Sequence, residues 1–394
     1  MAPDIAEVRA ALSAVEDPDL LRGLGELGMV RQVDLSRRKM SVQIALPASN
    51  WPCRDELADR VARALGTIEG LRDVTIEFVA MTGEEREELV HRLASGPGGE
   101  PADLSAPAMP VPRQQPGGAP AALVARDGPN RYLRTGSKTR IVGISSGKGG
   151  VGKSSVTVNL AVALAASGHE VGLLDADVYG FSVPKMMGVD RDPVTIEGML
   201  VPPVVHGVRC LSMGFFVSED QPVIWRGPML HKTLEQFLVE AYWGEPDFLL
   251  VDLPPGTGDV TLSLAQYLPR TEVLVVTTPQ PAAQRVAQRS ASAARRLKLA
   301  VRGVVENMSW FTGDDGKRYE LFGSGGGELL ADSLEVPMLV QVPLVPALRE
   351  GGDVGVPIRV SEPESEAALA FDALAQAVTS LGPARIYKSA LTVR

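Results

Sequence analysis

The chain has 394 residues, of which 45% are hydrophobic and 22% are charged, and its formal net charge is -9 at pH 7. This composition is typical of a folded protein of two or three domains and excludes a disordered chain. The negative charge argues against nucleic acid or an anionic membrane as a partner, so we predict neither. The chain has only two cysteines, which is too few for a disulfide scaffold or for an all-cysteine metal site within one chain.

The N-terminal segment and the apolar runs give no indication of export or membrane insertion. Residues 1–10 lack the basic and apolar regions of a signal peptide. No apolar run reaches the ~18 residues that a membrane span requires. We therefore predict a soluble, cytoplasmic protein.

Residues 1–93 have the pattern of a small α+β domain. Apolar residues recur at helical spacing in two segments and alternate in others, as expected for half-buried strands. The pattern predicts helices at 6–15 and 54–65, and strands at 29–35, 39–46 and 74–78. Residues 94–137 are rich in Pro and Gly and are interpreted as a linker, because such a segment buries too little apolar surface to offset its ordering entropy.

Residues 138–394 show short apolar runs separated mostly by helical segments. Continuous apolar strands that alternate with helices are typical of a mainly parallel sheet covered by helices on both faces. The pattern predicts a helix at 154–167 and strands at 141–145, 171–175, 248–252, 272–277, 301–306 and 338–342. The fold class is therefore α/β for this part, preceded by the small α+β domain.

The strongest motif is G-x-x-x-x-G-K-[ST], which begins at Gly147. It lies between a predicted strand and a predicted helix, which is the context that a phosphate-binding loop requires. Its backbone N–H groups and the helix N-terminus are expected to bind phosphate oxygens. Lys153 is predicted to contact the β and γ phosphates, and the Ser154 hydroxyl to ligate Mg²⁺. The predicted ATP-binding residues of this segment are Gly147, Lys148, Gly149, Gly150, Val151, Gly152, Lys153, Ser154 and Ser155.

Charged residues near this motif suggest catalytic roles. Asp252 and Asp175 end predicted strands and are expected to assist Mg²⁺, whereas Asp177 is expected to orient the attacking water. Any one of these aspartates alone could instead cap a helix. The additional lysine of the loop, Lys148, is placed to reach a nucleotide bound by a facing subunit and to stabilise its transition state. A solvated lysine is the alternative interpretation.

The chain resembles the Mrp family of iron–sulphur cluster carrier ATPases, within the deviant-Walker-A (MinD-like) P-loop class. The motifs that carry the resemblance are the loop with its additional lysine and the segments 174–180, 252–259, 278–280 and 306–309. Residues 1–93 resemble the small domain of cluster-assembly factors. The resemblance covers nearly the whole chain.

The resemblance implies an ATP-sandwiching homodimer that hydrolyses ATP, with Mg²⁺, and transfers iron–sulphur clusters to apoproteins. It also implies that Asn307 recognises adenine and that Pro343 lies near the base. In the family, a Cys-x-x-Cys pair commonly follows the Asn-Met-Ser segment, so that two chains hold one [4Fe–4S] cluster. Residues 310–319 of this chain contain no cysteine.

The two cysteines therefore need separate interpretations. Cys53 precedes a predicted helix, whose dipole would lower the thiol pKa and favour metal or sulphur chemistry, so it is the candidate cluster ligand. A small buried hydrophobe is an equally good interpretation of Cys53. Cys210 lies in an apolar run and is expected in the core. The missing pair also favours an alternative function, a nucleotide-switched adaptor that carries no cluster.

Overall fold

The computed structural model describes the structure of residues 4–36, 39–69, 71, 73–94, 137–177, 180–216, 227–256 and 259–382. They divide into two compact units. Unit 1 contains the described residues up to 94 together with Pro193–Pro203 and Glu240–Gly244, and unit 2 contains the rest. Residues 95–136 of the predicted linker lie outside the described residues, and the domain boundaries at 93 and 138 stay predictions.

The first 94 residues contain four helices and three strands within the part of the chain that is described. In chain order they are α1 (Ile5–Ala14), α2 (Leu24–Leu27), β1 (Val30–Ser36), β2 (Lys39–Leu46), α3 (Arg54–Gly66), β3 (Asp73–Ala80) and α4 (Gly83–Ala94). Strand β2 pairs with β1 in antiparallel and with β3 in parallel orientation. The predicted helices and strands are confirmed with ends shifted by no more than two residues, and the helices α2 and α4 were not predicted.

After residue 137, strands and helices alternate over much of the chain, with runs of consecutive strands at 194–212 and 300–319. In chain order they are β4 (Arg140–Ser146), α5 (Lys153–Ala166), β5 (Val171–Asp175), α6 (Val183–Met187), β6 (Val194–Ile196), β7 (Met199–Val201), β8 (Val204–Val205), β9 (Val208–Ser212), α7 (Gly227–Val239), β10 (Phe248–Asp252), α8 (Asp259–Tyr267), β11 (Glu272–Thr277), α9 (Pro281–Arg296), β12 (Ala300–Asn307), β13 (Phe311–Thr312), β14 (Arg318–Tyr319), α10 (Gly326–Leu334), β15 (Met338–Val342), α11 (Pro346–Val354), α12 (Ile358–Ser361) and α13 (Glu366–Ser380).

Unit 2 is built on an eight-stranded sheet in the order β15-β12-β11-β4-β10-β5-β9-β8. Every neighbouring pair is parallel except β8 and β9, which are antiparallel. Strands β4, β5, β10 and β11 are buried along their whole length, as their continuous apolar sequences require. The predicted fold class, a mainly parallel α/β sheet preceded by an α+β domain, is confirmed. None of the described helices has the length and apolar character needed to cross a membrane.

Unit 1 incorporates a hairpin whose sequence lies between elements of unit 2. Strands β6 and β7 form this antiparallel hairpin, and Ile196 and Val201 belong to the same apolar core as α1 and β2. Tyr242 joins that core, and its hydroxyl donates to the Leu20 carbonyl at 3.3 Å. Glu197 forms a 2.5 Å ion pair with Arg86 of α4. Two segments distant in sequence are therefore part of the fold of unit 1.

The core of unit 1 also contains a buried carboxylate, Asp17. Its Oδ1 accepts hydrogen bonds from the backbone N–H groups of Asp19 and Leu20, and its Oδ2 accepts one from Trp51 Nε1 at 3.0 Å. Burial raises the pKa of Asp17 to about 6, because desolvation of the charged form outweighs the hydrogen bonds that stabilise it.

This pKa predicts that unit 1 becomes less stable as the pH rises. The pKa is about 6 in the folded state and 3.8 for the free side chain. The native state therefore binds the proton more tightly, and stability is lost as the pH rises through the folded pKa. Asp17→Asn removes this titration. We compare the free energy of opening of unit 1 in the variant with that in the unaltered chain. The difference, variant minus unaltered chain, should rise by up to about 3 kcal/mol between pH 4 and pH 7.

Hydrogen exchange of unit 1 peptides in the full chain, corrected for the intrinsic pH dependence of exchange, measures this difference. Peptides of unit 2 are the internal control and should show none. A difference that stays constant over this pH range, or that falls, contradicts the assignment.

Candidate functional site

The polar residues of unit 2 collect at the carboxyl edge of its sheet. Strand β10 lies between β4 and β5, and Asp252 at its end is the register partner of Ile144 on one side and of Asp175 on the other. The phosphate-binding-type loop leaves the same edge directly after β4. In an open parallel sheet, ligands bind outside the carboxyl ends of the strands, so this edge is the candidate site.

The loop of residues 147–152 connects β4 to the buried helix α5. Gly152 has φ +80°, a left-handed conformation that disfavours other residues, and a Cβ there would collide with the Asn307 amide. A Cβ on Gly147 would collide with the backbone of α9. Gly149 and Gly150, by contrast, face open space, since an added Cβ would meet no other atom within 4 Å. The loop is thus packed at its ends and open in the middle, where a phosphate chain would lie.

A buried charge cluster lies at the start of α5. Lys153 Nζ is 2.5 Å from Asp252 Oδ2, and the Ser154 hydroxyl donates to that same oxygen at 2.6 Å. Thr157, one turn further along α5, donates from its hydroxyl to Asp252 Oδ1 at 2.6 Å. The side chains of Lys153 and Asp252 are 7% and 0% exposed. The structure therefore brings together Lys153, Ser154 and Asp252, three of the residues that the sequence predicts for phosphate and Mg²⁺ binding.

Asp175, which ends β5, and Asp177, two residues later, have different surroundings. Asp175 is fully buried, and its carboxylate accepts hydrogen bonds from the backbone N–H of Asp177 at 3.1 Å and from the Ser212 hydroxyl at 3.1 Å. Burial, together with the negative charge of Asp252, raises the pKa of Asp175 to about 7. Asp177 Oδ2 is 3.8 Å from Lys153 Nζ. Asp177 is thus the aspartate nearer the lysine, while Asp175 also holds the loop that follows β5.

Lys148, the additional lysine, makes a contact within its own subunit. Its Nζ is 3.4 Å from Gln280 Oε1, at the N-terminus of α9. The side chain is partly exposed rather than buried. Ser155, predicted as a binding residue, accepts a hydrogen bond at its carbonyl from the Asn159 side chain at 2.9 Å. The roles predicted for both residues stay predictions.

Asn307 lies beside the loop at the end of β12. Its Nδ2 donates to the Val151 carbonyl at 2.9 Å, whereas its Oδ1 is buried and has no partner among the described residues. Pro343 is buried and directly follows Val342, the register partner of Asn307. A buried acceptor without a donor is costly, and the exocyclic amino group of adenine is a donor of the required kind. The residues present therefore fit an adenine nucleotide.

The donor set also fits magnesium. Mg²⁺ is usually bound in nucleotide sites by one or two side-chain oxygens, nucleotide phosphates and waters, and the Ser154 hydroxyl and the Asp252 carboxylate meet within 2.6 Å. Among the described residues, no group of three His, Cys, Asp or Glu side chains could hold a metal ion by itself. A metal here would therefore depend on phosphate oxygens as further ligands.

Both cysteines are buried, and neither forms a disulfide. The Cys53 thiol donates to Asp19 Oδ2 at 3.2 Å in unit 1, immediately before α3. Cys210 lies in the middle of β9, as predicted, and burial raises its pKa far above the usual range. Residues 311–319, where the resemblance would place a cysteine pair, form the short hairpin β13–β14. The assignment of Cys53 as a cluster ligand stays a prediction.

Sequence reasoning did not identify three site contacts, made by Thr157, Ser212 and Gln280. Thr157 follows Lys153 by one helical turn, a spacing that places both on one side of α5 and could have indicated it. Ser212 ends β9 at the same carboxyl edge as Asp175. Gln280 is the residue immediately before α9. It belongs to the segment 278–280 that carries the family resemblance, but no contact was predicted for it.

Comparison with known protein families places both parts of the chain. Residues 137–379 match the model of the ParA family described as NUBPL iron-transfer P-loop NTPase. Residues 5–78 match the family described as iron-sulfur cluster assembly protein. The two matches fall on opposite sides of the predicted linker.

Individual relatives give the same result. An iron-sulfur cluster carrier protein of Mycobacterium tuberculosis is 43% identical over 367 residues, which cover 91% of this chain and 89% of the relative. An iron-sulfur cluster carrier protein of Synechocystis is 39% identical over 378 residues, covering 94% of this chain and 96% of the relative. Among solved structures, a nucleotide-binding protein of Archaeoglobus fulgidus in complex with ADP is 33% identical, with a TM-score of 0.52 over 61% of this chain and 96% of that one.

Proposed function

Because the chain belongs to the NUBPL family of iron-transfer P-loop NTPases, we propose that it is an ATP-hydrolysing homodimer that delivers iron–sulphur clusters to apoproteins in the cytoplasm. The observation that carries the ATPase part is the buried cluster of Lys153, Ser154 and Asp252 beneath an open glycine loop. The carrier part is supported by the relatives, which are named iron-sulfur cluster carrier proteins.

The charge cluster is arranged to exchange partners when ATP binds. Lys153 is paired with Asp252 at 2.5 Å, so turning its ammonium toward the β and γ phosphates replaces one anionic partner by another. The carboxylate that this frees, with the Ser154 hydroxyl, is then available as a ligand. Bound Mg²⁺ supplies charge neutralisation of the phosphate oxygens. Thr157, bonded to the other oxygen of Asp252, keeps that carboxylate oriented during the exchange.

Hydrolysis further requires a group that positions water and one that neutralises the transition state. Asp177 lies 3.8 Å from Lys153 and has the carboxylate to orient a water for attack on the γ phosphate. Lys148 lies on the partly exposed side of the loop, where it can reach a nucleotide held by a second copy. We assign it to the facing site of a homodimer. Hydrolysis then changes the dimer geometry and releases the cargo.

The assignment of Lys148 to the facing site predicts complementation between two inactive variants. Lys148→Ala and Lys153→Ala should each hydrolyse no ATP as pure proteins. In an equal mixture that exchanges subunits, half of the dimers are mixed. Each mixed dimer has one site with an intact Lys153 and an intact Lys148 from across the interface, so the mixture should recover about a quarter of the original rate.

Steady-state phosphate release measures this recovery, with each variant alone as the control and exchange of labelled subunits verified by energy transfer. If Lys148 instead acted on its own nucleotide, both sites of every mixed dimer would be defective. An exchanged mixture that stays inactive would therefore contradict the facing-site role.

The cargo step depends on where thiolate ligands come from. A dimer of this chain has four cysteines, two copies each of Cys53 and Cys210. Cys210 is fully buried inside β9, which leaves Cys53 as the candidate. Cys53 is only 4% exposed. Cluster binding would therefore require its thiol to leave Asp19 and become accessible. The proposed carrier therefore differs from family members that use a Cys-x-x-Cys pair.

Anaerobic reconstitution with iron and sulphide tests the carrier function. The protein should acquire the visible absorbance of an iron–sulphur cluster, and Cys53→Ser should lose at least about half of the bound iron because a thiolate ligand is removed. Cys210→Ser, a buried cysteine in β9, is the matched control and should retain it. Transfer to an apo-ferredoxin, followed by circular dichroism, then reports delivery. A fully folded protein that stays colourless contradicts the carrier function.

One observation favours a second candidate function, a nucleotide-switched adaptor. The segment that would carry the cysteine pair is instead the hairpin β13–β14, and the Arg318 guanidinium of β14 stacks over the Trp310 ring at 4.1 Å. Trp310 Nε1 in turn donates to Glu366 of α13 at 3.1 Å. The Trp310 side chain thus connects the hairpin to α13. A colourless protein that still hydrolyses ATP would support the adaptor.

A further inference from the structure

Helix α9 is unusual in its charge. Its 16 residues, PAAQRVAQRSASAARR, include four arginines and no acidic residue, in a chain whose net charge is -9. At 100° per residue, Arg285, Arg289 and Arg296 lie within about 40° of one another around the helix axis. These three side chains are exposed and form the arginine stripe of α9.

The arginine stripe is not needed for packing. The buried side of α9 consists of small residues, Ala283, Ala287, Ser290, Ala291 and Ala294. Arg285 and Arg289 are like charges four residues apart, an arrangement that destabilises a helix. The stripe therefore costs stability within the isolated chain.

In three other helices an arginine that is at least partly exposed is neutralised by a carboxylate one turn away on the same helix. Arg60 pairs with Glu56 in α3, Arg92 with Glu88 in α4, and Arg349 with Asp353 in α11. Within the described part of the chain, no carboxylate pairs with any arginine of the stripe, whereas the neighbouring Arg295 donates to the Leu334 carbonyl. The stripe thus presents three guanidinium groups whose charge is not used in the fold.

Helix α9 also touches the candidate nucleotide site at several points. Gly147, the first glycine of the loop, packs directly against the α9 backbone. Ser290 bonds to Ser145 at 2.8 Å, and its hydroxyl donates to the Gly256 carbonyl in the loop after Asp252 at 3.2 Å. Anything bound to the stripe therefore sits on a helix that contacts both loops of the ATPase site.

We propose that the arginine stripe of α9 is the docking surface for an acidic protein partner, the apoprotein that receives the cargo. Guanidinium groups pair with carboxylates through two parallel hydrogen bonds. The stripe arginines are four and seven residues apart, which corresponds to about 6 and 10 Å along the helix axis. Carboxylates one and two turns apart on a partner helix have the same spacing. A DNA duplex is the competing occupant, because its phosphates also pair with guanidinium groups, and it is therefore one arm of the test below. The identification of the partner as an apoprotein rests on the carrier function proposed above; the acidic docking surface does not.

Binding of fluorescein-labelled poly-L-glutamate to the full-length protein tests the proposal without any cluster. The triple variant Arg285→Glu, Arg289→Glu, Arg296→Glu should bind this probe at least about tenfold more weakly, since three attractive contacts become repulsive. A control triple, Arg9→Glu, Arg63→Glu, Arg349→Glu, changes the net charge equally on exposed arginines elsewhere and should change the affinity by less than about threefold. Both variants should hydrolyse ATP at the original rate.

Three results would overturn the proposal. The stripe variant could bind the probe as tightly as the unaltered protein, or the control triple could lose as much affinity. A 20-base-pair DNA duplex could bind more tightly than poly-L-glutamate and be lost only in the stripe variant, which would assign the stripe to nucleic acid. If the charge reversal unfolds α9, the same comparison is made with the three arginines changed to glutamine, and the expected loss is then about threefold. Because no cluster is present, a failed reconstitution leaves this test unaffected.

Discussion

The buried ion pair between Lys153 and Asp252 is the interaction on which the candidate site depends. Two charges removed from water cost several kcal/mol each unless each finds a close partner and further hydrogen bonds. Asp252 receives three donors, from Lys153, Ser154 and Thr157. Strand β10 carries the carboxylate and helix α5 carries all three donors. The charges are therefore paired only when the helix is packed on the sheet in this one orientation. A phosphate chain with its metal can replace these partners without leaving a charge unpaired, which makes the pair a resting state of a nucleotide site.

The same edge of the sheet joins nucleotide contacts to the rest of the molecule. Asn307 links the loop to β12 through the Val151 carbonyl, and Ser290 links α9 to the loop after Asp252. Unit 1 contains Pro193–Pro203 and Glu240–Gly244, segments whose chain leads directly to β8 and β10 of unit 2. A change at the phosphates thus reaches α9 through packed contacts within unit 2, and the chain itself continues from this sheet into segments of unit 1. The proposed coupling of hydrolysis to cargo release needs connections of this kind.

The sequence predicted the parts of this architecture that depend on local patterns. The strands Val171–Asp175, Phe248–Asp252, Glu272–Thr277 and Met338–Val342 were predicted with the observed ends, because each is an apolar run bounded by polar or turn-forming residues. Helix α4 was not predicted, because its many glutamates make the periodic pattern of its few apolar residues a weak signal in the sequence. The hairpin β6–β7 could not be assigned to unit 1, since its apolar residues meet partners more than a hundred residues away in sequence. The hydrogen bonds of Thr157 and Ser212 to the two aspartates likewise arise only when distant segments pack together.

The claim that the Lys153–Asp252 pair is the resting state of an ATPase is tested most directly by the rate of phosphate release with Mg²⁺ and ATP. Lys153→Ala should reduce turnover by at least about a hundredfold, because the phosphates lose their buried cation. Arg359→Ala, which breaks a partly exposed pair with Asp372, is a matched control and should leave turnover unchanged. Turnover by Lys153→Ala equal to that of the unaltered chain would contradict the assignment of the site.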